Sequence, residues 1–99
     1  MPTEAFIQAV HQTVKKIPKG KVTTYGQIAY MINHPKNARL VGNVLHRINP
    51  KLNLPCHRVV NHSGRLVPGW NEQQALLQKE GVLFKSNGNV DLRRYFWQG

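Results

Sequence analysis

Apolar residues recur with a helical period near the start of the chain. Phe6, Ile7, Val10, Val14 and Ile17 form one stripe, Thr3 stands where a cap belongs, and Pro18-Lys19-Gly20 breaks the pattern. Thr24 followed by Gln27 has capping-box spacing and predicts a second helix carrying Ile28, Ala29, Met31 and Ile32, closed by His34-Pro35. Asn37 can cap a third, with Leu40, Val41, Val44, Leu45 and Ile48 on one side, Arg39, Asn43, His46 and Arg47 elsewhere, and Asn49-Pro50 at its end. Two short helices joined by a tight turn, the second polar and basic on its free side, read as a helix-turn-helix over about residues 24–48. An ordinary helical hairpin in a core is the plainer alternative.

Beyond Pro50 the texture changes. The stretch 54–60 ends apolar and β-branched, Asn61-His62-Ser63-Gly64 is a turn signal, and Arg65-Leu66-Val67 is expected to return as a short strand. After Pro68-Gly69, residues 71–79 predict a helix with Ala75, Leu76 and Leu77 as its apolar positions and Gly81 just past its end. Val82 and Phe84 alternate with Leu83 and Lys85, Asn87-Gly88 is a hairpin turn, and the aromatic tail Tyr95-Phe96-Trp97 is expected to pack down. The expected fold is mostly α with a minor β part. It is a single domain over residues 1–99, with a winged-helix-like helix-turn-helix, short hairpin strands and an aromatic C-terminal tail.

Composition sharpens this picture. Apolar residues make up 40% of the chain, which implies a packed core rather than disorder. Fourteen Lys and Arg face four Asp and Glu, for a formal charge of +10. Charge of that size on a short chain points to a polyanion, nucleic acid first, and its spread suits a folded binding face better than a basic tail. Cys56 is the only cysteine, so an intramolecular disulfide is excluded. Glu4 and Gln8 interrupt the opening apolar stretch, which argues against a signal peptide, and no apolar run is long enough for a membrane span. A cytoplasmic or nucleoid-associated monomer is expected.

The candidate chemistry centres on Cys56 and His57. A thiol attacks as thiolate, and an adjacent imidazole can take its proton. Pro55 fixes the backbone just before them. A carboxylate commonly orients such a base, and of Glu4, Glu72, Glu80 and Asp91 the best placed is Glu80, at the end of the helix after the Cys-His turn. A buried structural cysteine beside a surface histidine fits the same dipeptide. Cys56, His57 and His62 do not make a metal site, since there is no second cysteine or paired spacing.

Pro55-Cys56-His57-Arg58-Val59 resembles the active-site signature of the O6-alkylguanine-DNA alkyltransferases. Thr23-Thr24-Tyr25-Gly26-Gln27 resembles that family's approach to its helix-turn-helix. Ala38-Arg39-Leu40-Val41-Gly42 resembles its recognition helix, and Glu80-Gly81 the Glu-Gly pair after its catalytic turn. The resemblance implies a repair protein for double-stranded DNA containing O6-alkylguanine, binding through the minor groove and needing no metal or organic cofactor. It casts Arg39 as the finger that fills the gap left by a flipped base and Tyr25 as the residue that turns the nucleotide. Gly42 would permit close approach to the DNA, with Thr24, Ala38, Asn43 and Arg47 also on it. Pro55, Val59 and Trp70 are expected to line the lesion pocket. His57, acting through water and oriented by Glu80, would deprotonate Cys56, which accepts the alkyl group once and irreversibly, while Tyr25 donates a hydrogen bond to the departing guanine.

The likeness has departures. The family's full-length enzymes carry a further N-terminal domain, which has no counterpart in these 99 residues. Ile48 stands at the place of their hinge asparagine, with Asn49 one step later, and Val67-Pro68-Gly69-Trp70-Asn71 replaces their Gly- and Ser-rich loop. In size, loop and tail the chain is more similar to the alkyltransferase-like proteins. Those bind O6-alkylguanine without repairing it and hand it to nucleotide excision repair proteins, but they usually have tryptophan in the place of Cys56. Three readings follow: a stoichiometric alkyl acceptor, a non-catalytic lesion sensor, and a helix-turn-helix regulator.

Overall fold

The computed structural model describes residues 2–99; Met1 lies outside them. The first helix, α1, spans Glu4–Lys15, and Thr3 Oγ1 caps it by accepting the Phe6 N–H at 3.1 Å. The second, α2, spans Tyr25–Met31 and is capped by Thr24 Oγ1, which accepts from Gln27 N at 3.0 Å. Only half of a capping box forms, because the Gln27 amide donates instead to the Gln98 carbonyl at 3.1 Å. This helix stops short of His34: Asn33 turns left-handed at φ +66°, and His34 N closes onto Ala29 O at 2.8 Å. The third, α3, spans Ala38–His46; Asn37 occupies the cap position, but its side chain makes no capping bond. These helices enclose a first core that includes Val10, Val14, Ile28, Ala29, Val41 and Val44. Each such valine contributes about 1.5–3 kcal/mol by leaving water.

The β part departs from the sequence expectation. Val59–Val60 (β2) pairs in parallel with Thr23–Thr24 (β1), and residues 65–67 form no strand. The reason is a competing partner: the Val67 N–H goes to the Gln73 side-chain oxygen at 2.7 Å rather than to a ladder. Strand alternation then divides the molecule, with Val59 facing the first core and Val60 facing a second built with Val22, Leu77, Val82, Val90 and Tyr95.

A helix at Glu72–Lys79 (α4) supplies Leu77 and the fully buried Gln73 to the interior, while Ala75 and Leu76 point outward. The local sequence suggested an apolar run, but positions four apart face inward on a helix. Gly81, at φ +88°, ends α4, with Val82 N reaching back to Leu77 O at 3.1 Å. At Gly64 a side chain has no room: a Cβ would collide with the Val90 carbonyl oxygen. Phe84 bridges Val90 across the Asn87-Gly88 turn, and Asp91 caps a short helix, Leu92–Tyr95 (α5), that the sequence reading missed. The tail returns to the centre, with Phe96 bridging Val22 and Trp97 N donating to Val22 O at 2.7 Å. No helix among the described residues is long and apolar enough to cross a membrane.

Candidate nucleic-acid interface

Pro55 starts a tight turn in which its carbonyl accepts the Arg58 N–H at 3.0 Å, and Cys56–Arg58 form one turn of 3₁₀ helix that runs straight into β2. The turn sends Cys56 to one side and His57 and Arg58 toward the end of α4. There Glu80 binds both. Its Oε2 lies 2.8 Å from His57 Nε2 and accepts from an Arg58 Nη at 2.7 Å, while Oε1 accepts from Arg58 Nε at 2.9 Å. The Gly20 N–H adds a contact to Oε1 at 3.3 Å, and the other Arg58 Nη binds the Ile17 carbonyl at 2.8 Å, past the end of α1. Burial alone would raise the Glu80 pKa, but the hydrogen bonds from Arg58, His57 and Gly20 and the charge of His57 outweigh it and hold it down at about 2. Glu80 is therefore a permanent carboxylate that fixes the His57 ring.

Cys56 lies on the wall of a cavity of about 500 Å³, in the usual range for ligand pockets. Tyr25, Ile48, Leu54, Val67 and Trp70 also line it. Burial pushes the Cys56 thiol upward, opposed in part by its own backbone N–H. Burial also raises the Tyr25 phenol, and the nearby Cys56 charge adds to the shift. Both groups rest protonated at neutral pH, so Tyr25 is a hydrogen-bond donor and Cys56 needs a base before it can attack.

A groove of about 480 Å³ runs along the outer face of α3, where Ala38, Arg39, Gly42 and Asn43 meet His62 and Arg65 from the turn opposite. Tyr25, His46 and Val67 line this groove and the Cys56 cavity alike. Tyr25 holds that place as the first residue of α2, beneath Gly42. A Cβ on Gly42 would meet the Tyr25 ring at 3.8 Å, an ordinary contact, so packing does not demand glycine there.

The other expected site residues are dispersed. Thr24 is buried, with its hydroxyl used as the α2 cap. Arg47 lines a second depression, beside Ile7 and Leu40, that meets the groove at Asn43. Of the expected pocket residues, Trp70 lines the cavity while Pro55 and Val59 do not. Val59 is 1% exposed and faces the first core, because the strand that begins there turns its side chain away from the cavity. Pro55 serves the turn backbone. The sequence reading gave no role to Arg58 or Gln73. A lone arginine amid apolar and β-branched residues was the one signal for Arg58; Gln73 offered only its spacing from Leu77.

Residues 5–82 match the family model described as 6-O-methylguanine DNA methyltransferase, DNA binding domain. A DNA base-flipping protein of Escherichia coli strain K12 is 43% identical over 97 residues, covering 95% of this chain and 75% of that protein. The crystal structure of Schizosaccharomyces pombe Atl1 in complex with damaged DNA containing O6-carboxymethylguanine matches with a TM-score of 0.87, at 33% identity, over 100% of both chains. The Mycobacterium tuberculosis OGT complex with DNA matches with a TM-score of 0.69 at 39% identity, over 81% of this chain and 51% of that one.

Proposed function

The chain belongs to the family of the 6-O-methylguanine DNA methyltransferase DNA-binding domain, and from that premise we propose that it repairs DNA by base flipping. It binds a duplex along α3, rotates an O6-alkylated guanine into the cavity beside Cys56, and accepts the alkyl group on that sulfur in a single turnover. The observation that carries this reading is the shared wall, in which Tyr25, His46 and Val67 border both the basic groove and the cavity. A base leaving the stack over the groove has a short path to the sulfur, and Arg39, on the groove wall, fills the gap it leaves in this reading.

The chemistry follows from the groups around the cavity. His57, its Nε2 fixed by Glu80, takes the Cys56 proton through solvent at its other ring nitrogen. The sulfur attacks the alkyl carbon, an S–C bond forms, and the bond from that carbon to O6 breaks. The electron pair leaves with guanine, and the Tyr25 phenol donates a hydrogen bond to the charge that develops there. The sulfur ends as a thioether, so each molecule reacts once. Weighing the intact protein after incubation with O6-methylguanine duplex tests this: one added methyl group, located on Cys56, is expected. An unchanged mass would overturn alkyl transfer.

A second reading, a lesion sensor that marks the site for other repair proteins, is favoured by the full-length likeness to Atl1. It predicts tight, lesion-selective binding that Cys56→Ala leaves intact, with no mass gain in the parent protein.

A further inference from the structure

The loop that separates groove from cavity hangs on one side chain. Val67-Pro68-Gly69-Trp70 is a closed turn in which Trp70 N donates to Val67 O at 3.2 Å, with Gly69 at φ +84° where a type II turn needs it. Gln73 holds both ends. Its Oε1 accepts the Val67 N–H at 2.7 Å, and its backbone N–H reaches Trp70 O at 3.3 Å. The same amide donates through Nε2 to the carbonyls of His57 and Val59, each at 3.1 Å. Gln73 is 0% exposed, so these bonds form away from water and have no substitute there.

We propose that Gln73 is a positioning residue for lesion recognition. Its amide fastens the Val67–Trp70 turn to the backbone of the Cys56 turn and so fixes the width of the cavity that receives the base. The inference rests on the base-flipping reading and adds to it a source of selectivity that touches neither DNA nor sulfur. A cavity of set width receives an extrahelical base without first having to order a loop, and preorganisation of this kind appears as affinity for the lesion alone. Gln73 lies off the α3 face, and of the turn it fastens Val67 and Pro68 reach the groove wall, so contact with undamaged duplex depends on it less than lesion binding does.

The test compares affinity for an O6-methylguanine duplex with affinity for the matching undamaged duplex. In Gln73→Met, lesion affinity should fall on the order of tenfold, while undamaged-duplex affinity changes less than about twofold. A purely structural role would lower thermal stability and leave the ratio of the affinities unchanged. Gln73→Glu provides a graded case. A carboxylate facing two carbonyls should lose discrimination at neutral pH and regain it in mild acid, where a proton restores the donor; the wild-type ratio in the same buffers is the control. Hydrogen exchange in the wild type covers the case in which a variant fails to fold. The Val67 amide should exchange at least about tenfold more slowly than that of Gly69, and equal rates would overturn the proposal. Equal binding of both duplexes by the wild type would overturn base flipping itself and this inference with it. A wild type that discriminates beside a folded Gln73→Met that discriminates equally would overturn only the role of Gln73.

Discussion

The end of α4 and the outer face of α3 treat charge in opposite ways. At the first, Glu80 gathers His57, Arg58 and the Gly20 N–H, and both ion pairs found among the described residues involve this one carboxylate. At the second, Arg39, Asn43, His46 and Arg47 stand exposed, and no hydrogen bond or ion pair joins their side chains to another described residue. With only four acids against fourteen Lys and Arg, most of the chain's positive charge has no acid to pair with. One region is complete within the molecule and rigid; the other is left for a polyanion to complete. The division suits a protein that must search DNA through interchangeable phosphate contacts and yet hold one histidine in one orientation.

The sharpest way to break this contrast is to remove the carboxylate. Glu80→Ala strands a largely buried guanidinium and frees the His57 ring, so it should cost about 3 kcal/mol of folding stability and abolish alkyl transfer to Cys56. Thermal unfolding checks the first effect and the mass assay the second. The pH dependence carries a definite sign. The Glu80 pKa is depressed from the ordinary 4.5 to about 2, so its stabilisation is in full force above pH 4.5 and drains away as pH falls toward 2. Glu80→Gln should flatten the melting curve's response across that window. If the variant melted like the wild type at neutral pH, the α4 network would not be the rigid element described here.

Arg39→Ala strikes the other region and should do the reverse. Folding stability should stay within about 0.5 kcal/mol, as for other exposed positions. Affinity for O6-methylguanine duplex should drop by roughly 30-fold, about 2 kcal/mol, because the space vacated by the base loses its planar plug. Arg39→Lys should recover only part, since an ammonium cannot stack and bridge at once. Fluorescence anisotropy at fixed salt measures both. A loss of fold in Arg39→Ala equal to that in Glu80→Ala would erase the distinction.

How far these regions could be read in the sequence depends on how local their determinants are. The α3 face was legible, since a helix sorts its residues by period and Arg39, Asn43 and His46 fall on the free side whatever packs beneath. The caps Thr3 and Thr24 were legible for the same reason. The pairing of β1 with β2 was not: two-residue strands far apart in the chain carry no alternation to detect. The expected return strand at 65–67 failed because its donor is claimed by a glutamine that local pattern assigns to a solvent-facing helix. Cys56, His57 and Glu80 stood out through motif and elimination. Arg58 did not, since its partners Glu80 and Ile17 meet it only in the fold. Pro55 and Val59 were misplaced because neighbours of Cys56 in sequence were read as its neighbours in the cavity.

The smallest expected effect sharpens the contrast within α3 itself. Arg47 caps the C-terminal end of that helix and lines a depression that meets the groove at Asn43 but shares no residue with the Cys56 cavity, so it stands away from the path of an extrahelical base. Any contribution it makes to binding is through phosphate charge, which is indifferent to the lesion. Arg47→Ala should therefore weaken binding to damaged and undamaged duplex equally, by less than about threefold, and lower the slope of log affinity against log salt by about 1 at most. Arg39→Ala should change the ratio of the two affinities, whereas Arg47→Ala should leave it fixed. A salt titration of both variants on both duplexes separates these outcomes. A changed ratio in Arg47→Ala would mean that the lesion-reading face wraps around the end of α3, and the boundary between charge that searches and charge that discriminates would have to be redrawn there.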